Sequence, residues 1–73
     1  MAKGYNGWPS WNQWNVALWV RNDEGLYRLA RECRRETRNL DEAARLLLEY
    51  LPGETPDGAK FNLTSVKGAI RDL

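Results

Sequence analysis

Residues 23–38 read DEGLYRLARECRRETR, and they carry the clearest helical signal in the chain. With Leu26 at 0° and about 100° per residue, Leu29, Ala30, Cys33 and Thr37 fall within an arc of about 100° around it. Such a stripe buries one face of a helix. Arg28, Arg31, Arg34, Arg35 and Arg38 collect between about 80° and 200°, with Glu32 and Glu36 on the other flank at about 240° and 280°. The arginines are segregated rather than scattered. Asp23 and Glu24 sit at the start, where acids complement the helix dipole.

Working outward, Ser10 followed by Gln13 forms a capping-box pattern, which predicts a helix from Trp11 to about Val20 or Arg21. A strand is the alternative for WNVALWV, given its aromatic and β-branched residues, although no partner strand is visible elsewhere. On the other side, Asn39 and Glu42 open a third helix that Leu51-Pro52-Gly53 closes. Its apolar residues from Leu40 to Leu51 cover about 200°, which predicts a central element or one with an exposed apolar edge. Residues 52–62 are turn-rich, with Thr55-Pro56-Asp57-Gly58 a β-turn signature. A short last helix begins near Asn62 or Thr64 and continues to Asp72, weakened by Gly68. Residues 1–9 form an irregular lead-in whose Tyr5 and Trp8 fold back on the domain. The expected fold class is all-α: a small bundle of three to four short helices over a single domain, residues 1–73.

Composition narrows the function classes. Lys+Arg 11 against Asp+Glu 10 gives a net charge of +1, which excludes a globally basic DNA-coating protein. No apolar run approaches the roughly 20 residues of a membrane span, and no signal-peptide pattern is present, so the expected location is the cytoplasm. Cys33 stands alone and there is no His, so the usual zinc sets and Ser–His or Cys–His pairs are not available within one chain. Asp23/Glu24 and Asp41/Glu42 sit at helix starts, where the dipole accounts for them. The expectation is a non-enzyme with no catalytic residue, cofactor or metal. Cys33 reads as a small core residue, and Asn62-Leu63-Thr64 as an accidental glycosylation match.

Four Trp fall within residues 8–19. Their first reading is a core filled with large side chains because few residues are available. The predicted first helix, however, is apolar on two sides: with Trp11 at 0°, Leu18, Trp14 and Ala17 lie at about 340°, 300° and 240°, and Trp19, Val16 and Val20 at about 80°, 140° and 180°. Helical arithmetic thus keeps Trp11 and Trp14 as core-fillers and moves Trp19 to the opposite side. Either the helix is sandwiched in the fold or one side meets a partner, a second copy of the chain included. Asn12 and Asn15, between the two sides, are expected to tie down nearby backbone, for example in the lead-in.

The arginine stripe admits three readings. Guanidinium groups suit phosphate oxygens, with nearby aromatics stacking on unpaired bases. They equally suit the carboxylates of a protein partner. The third reading is a solvated face with internal pairs such as Glu32–Arg35 and Glu32–Arg28, each worth about 0.2–0.5 kcal/mol. Arg28, Arg31, Arg34, Arg35 and Arg38 are the candidate partner-binding residues, with Trp19 as an aromatic anchor. Charge divides along the chain: six Arg against four acids over residues 21–38, and one Arg against five acids over residues 39–58.

Tyr5-Asn6-Gly7-Trp8, Trp14-Asn15-Val16-Ala17-Leu18-Trp19, Asn22-Asp23-Glu24-Gly25-Leu26-Tyr27 and Thr55-Pro56-Asp57-Gly58 together resemble a group of short, largely uncharacterised proteins of bacteriophages, plasmids and their bacterial hosts. The chain departs from that group at Ser10-Trp11-Asn12-Gln13, where an Asn-Tyr-Glu-Thr type of cap is usual. The resemblance implies a mobile-element context and transfers no catalytic residue. In that context it implies a stoichiometric binder of a host protein or ribonucleoprotein complex, of the anti-CRISPR inhibitor type. A small nucleic-acid-binding module is the alternative.

Overall fold

The computed structural model describes residues 7–73, and among them the chain forms four helices. They are α1 (Trp11–Asn22), α2 (Glu24–Glu36), α3 (Leu40–Leu48) and α4 (Leu63–Ile70). The all-α class is as the sequence implies. Tyr5 lies outside the described residues.

Each helix starts on a side-chain cap that satisfies a first-turn N–H. Ser10 Oγ accepts from Gln13 N at 3.2 Å, Asp23 Oδ1 from Leu26 N at 3.0 Å, and Asn39 Oδ1 from Glu42 N at 2.9 Å. Only α4 carries a full capping box: Asn62 Oδ1 accepts from Ser65 N at 2.8 Å, while Asn62 N donates back to Ser65 Oγ at 3.0 Å. Asp23 serves two helices. Its N–H closes α1 on the Trp19 carbonyl at 3.0 Å while its carboxylate opens α2, so a single residue makes the corner.

α4 packs on α1 and α3, and α2 spans α1 and α3. The core is made of small side chains: Val16, Val20, Ala30, Ala43, Ala44, Leu47, Val66, Ala69 and Ile70 are buried. α3 packs on α2 and α4 but not on α1, burying Ala43, Ala44 and Leu47 with Leu40, Leu46 and Leu48 at the rim, so α4, which meets all three other helices, is the central element. α2 buries Ala30 and Cys33, as its stripe predicts. Burial raises the Cys33 thiol pKa, with Glu36 and Glu32 adding to the shift, which suits an inert core position.

The tryptophans are not the core. None of the four is buried, and Trp11 remains 39% exposed, which corrects the reading that made Trp11 and Trp14 core-fillers. The inward side of α1 is the one carrying Val16 and Val20, joined by Ala17. Leu18, beside Trp11, is 37% exposed. The physical reason lies in the alanines, which bring the helices too close for an indole ring, while the indole N–H favours a wet rim. Trp8 does fold back, packing against the core with the Arg21 guanidinium 5.7 Å from its ring centre.

Trp8 also packs over Gly68. A methyl group added there would lie 3.4 Å from the Trp8 ring, an ordinary contact, and Gly68 has no left-handed backbone to lose. Gly68→Ala is therefore expected to stabilise the fold by about 0.4–1 kcal/mol in urea unfolding; a loss of stability would show that Trp8 needs closer approach than this.

Candidate functional site

Two constructions stand out, one that completes the fold and one that faces outward. The first is built on Asn12, Asn15 and Trp19, which share a stripe of α1 about 60° wide. Asn15 is 2% exposed and bonds at both ends: its Nδ2 donates to Asp57 Oδ2 at 3.0 Å and its Oδ1 accepts from Thr55 Oγ1 at 2.7 Å. Trp19 Nε1 donates to the same Asp57 oxygen at 3.0 Å. Asn12 clamps the Lys60 backbone, accepting from its N–H at 2.6 Å and donating to its carbonyl at 3.0 Å.

These bonds dock the 54–60 loop onto α1. Within it, the turn signature holds: Gly58 N–H donates to the Thr55 carbonyl at 2.9 Å, and Gly58 adopts φ +96°, which glycine permits. Thr55 and Ala59 close the loop at 2.8 Å, flanked by an antiparallel Glu54–Lys60 bridge. The backbone that Asn12 and Asn15 hold is thus this loop and not the Gly4–Pro9 lead-in. The two donors on Asp57 hold its carboxyl below the ordinary carboxylate range.

The second construction is the arginine face of α2, extended by Arg38, which the helical arithmetic puts on the same stripe but which lies beyond the helix because Thr37 turns extended at its C-cap. Arg31, Arg34, Arg35 and Arg38 line one shallow groove of about 370 Å³, together with Thr37 and Leu73. Arg28 lies in the adjoining groove of about 390 Å³ with Glu24 and Tyr27, and Arg31 and Arg35 belong to both. Of the internal pairs expected of a solvated face, the two on Glu32 do not form among the described residues, while Arg28 makes one with Glu24 instead, at 2.8 Å. Among the described residues no carboxylate bridges Arg31, Arg34, Arg35 or Arg38. Arg31 leans on the Tyr27 ring at 5.8 Å from its centre. Arg34 reaches the Arg71 carbonyl at 3.5 Å, past the end of α4, while its buried Nε has no acceptor. A buried donor left unpaired costs about 1–3 kcal/mol, so this face is incompletely satisfied in the free protein.

Two helix C-termini meet here, and each carries about half a negative charge. Against four guanidinium groups they offset about one unit, and the Glu42 carboxylate, which accepts from the Arg38 backbone N–H at 3.2 Å, lies at one end of the groove. Helix-end neutralisation therefore accounts for a minority of the charge. Trp19 stands apart from the arginines, lining a separate groove with Leu18, Asn22 and Asp23. The proposed aromatic anchor and the arginine face are thus different surfaces.

No group of His, Cys, Asp and Glu among the described residues is arranged to hold a metal, and no described helix is long and apolar enough to cross a membrane. Among the described residues, fold and surface together define a small four-helix domain that presents a groove of arginines without a bridging carboxylate. The chain belongs to a family of unknown function, DUF7249, whose family model matches residues 1–73. No curated protein and no solved structure matches it.

Proposed function

We propose that this protein acts by stoichiometric binding, engaging an anionic surface of a host protein or ribonucleoprotein complex through the arginine face of α2. The observation that carries this reading is the convergence of Arg31, Arg34, Arg35 and Arg38 on one groove without a bridging carboxylate among the described residues. Holding four like charges together costs repulsion and side-chain entropy, which an anionic partner offsets. Arg is also among the residue types that most often dominate interface energetics. The resemblance to phage and plasmid proteins supplies the setting: a bacterial cytoplasm, and an inhibitor of a defence complex of the anti-CRISPR type as the biological role. Fold alone does not assign such a role.

Affinity capture from a bacterial lysate tests it. The wild-type chain is expected to retain a defined complex at a fixed ratio, and Arg31→Ala/Arg35→Ala to lose it with the helical spectrum intact. Equal retention by the variant would remove the arginine face from the function.

A further inference from the structure

From the paired grooves we infer that the anion received by α2 is the phosphodiester backbone of a single nucleic-acid strand, the nucleic-acid part of a ribonucleoprotein partner. This rests on the stoichiometric-binding reading above and names the chemistry of its ligand. Three observations support it. First, the two grooves share Arg31 and Arg35 and so form one track along α2 that continues to Arg38, just past its C-cap. The helical part, twelve residue steps at 1.5 Å from Glu24 to Glu36, is about 18 Å long, which suits a ligand with repeating charges better than one isolated carboxylate.

Second, the number and kind of donors exceed what a carboxylate satisfies. One carboxylate matches one guanidinium fork, whereas four guanidinium groups around one groove call for several acceptor oxygens, as successive phosphates supply. Third, Tyr27 stands in the adjoining groove beside Arg28 and Arg31. An aromatic ring interleaved with arginines is the pairing on which single strands are held, the bases stacking and the backbone tracking the charge. A net charge of +1 for the whole chain does not oppose this, because Arg31, Arg34, Arg35 and Arg38 gather on one groove, whereas the acids of α2 lie at its first turn, where Glu24 pairs with Arg28, and on the other flank at Glu32 and Glu36.

Counterion release makes the inference quantitative. For single strands, log K falls with log salt at a slope of about −0.7 per neutralised phosphate, so four contacts predict a slope near −3. The experiment is fluorescence anisotropy of a labelled fifteen-nucleotide oligo-dT and its RNA counterpart, titrated with the full chain at several salt concentrations. The expected result is saturable binding at low salt with that slope, made shallower by about 1.4 in Arg31→Ala/Arg35→Ala. Arg31→Lys/Arg35→Lys, which keeps the charge and removes the forks, is expected to retain the slope with weaker binding. No binding of either oligonucleotide at low salt, or an unchanged slope in the double alanine variant, would overturn the inference. If oligonucleotides fail while lysate capture still depends on Arg31 and Arg35, the face binds protein carboxylates: the inference falls and the stoichiometric reading stands. If oligonucleotides bind and no complex is captured, the stoichiometric reading falls instead.

Discussion

Asn15→Ala is expected to destabilise the domain by about 1–3 kcal/mol in urea unfolding, because it leaves a buried polar group without its partner. The Thr55 hydroxyl loses its acceptor, and Asp57 loses one of its two side-chain donors. For a chain of 73 residues total stability is on the order of 4–11 kcal/mol, so this one side chain governs a large fraction of it. Asn12→Ala should cost less, since its two bonds to Lys60 are exposed and water replaces them. Comparable losses at the two positions would mean that the buried half of the network is not the stronger one.

Acid should act on the same network. The folded pKa of Asp57 is depressed by its bonds to Asn15 and Trp19, so its contribution is complete above the unfolded value near 4 and is lost as pH falls through the folded one. Asp41 behaves likewise, its carboxyl lowered first by the hydrogen bond from Arg45 and then by Lys67. The urea midpoint is expected to decline on acidification below about pH 4, and to decline less in Asp57→Asn. An identical acid profile in that variant would place the titrating group elsewhere.

The second large effect belongs to the arginine face. Arg31→Glu/Arg35→Glu is expected to weaken the captured complex by on the order of 1000-fold or more, as two interface arginines are each worth about 2 kcal/mol or more and the new charges repel an anionic partner. Both side chains are exposed, so the fold should survive. Measured by surface plasmon resonance, the loss should divide between slower association and faster dissociation. A change confined to association would reduce the groove to long-range steering without contact.

How far these residues disclose the molecule depends on the range of the interactions. The four helices follow from local signals: the caps Ser10, Asp23, Asn39 and Asn62 sit where side-chain chemistry and apolar spacing place them. Arg38 joins the groove from beyond the helix end, but the grouping of Arg31, Arg34 and Arg35 follows from the same arithmetic, since residues three and four apart share a helix face. The orientation of α1 does not. Both of its sides are apolar, and the choice between them is made by the helices it packs on, α2 and α4, whose buried Ala30 and Ala69 admit Val16 and Val20 and exclude Trp11. Nor does the docking of the 54–60 loop, whose bonds join residues separated by about 40 positions. A signal for it did exist in the 12, 15, 19 spacing on α1 together with the Thr-Pro-Asp-Gly turn, but nothing in one chain pairs the two. Trp19 suffers most from this: its indole N–H is committed to Asp57, away from the arginines it was expected to assist.

Arginine-specific dicarbonyl footprinting of the captured complex addresses the binding face residue by residue. In the free protein, Arg31, Arg35 and Arg38 are exposed and should react, as should Arg45, whose salt bridge with Asp41 lies on α3. On complex formation Arg31, Arg35 and Arg38 are expected to become protected while Arg45 stays reactive. Protection that leaves all three of them reactive would contradict the assignment of α2 as the binding face and transfer the function to another surface, the exposed Trp11 and Leu18 side of α1 first among them.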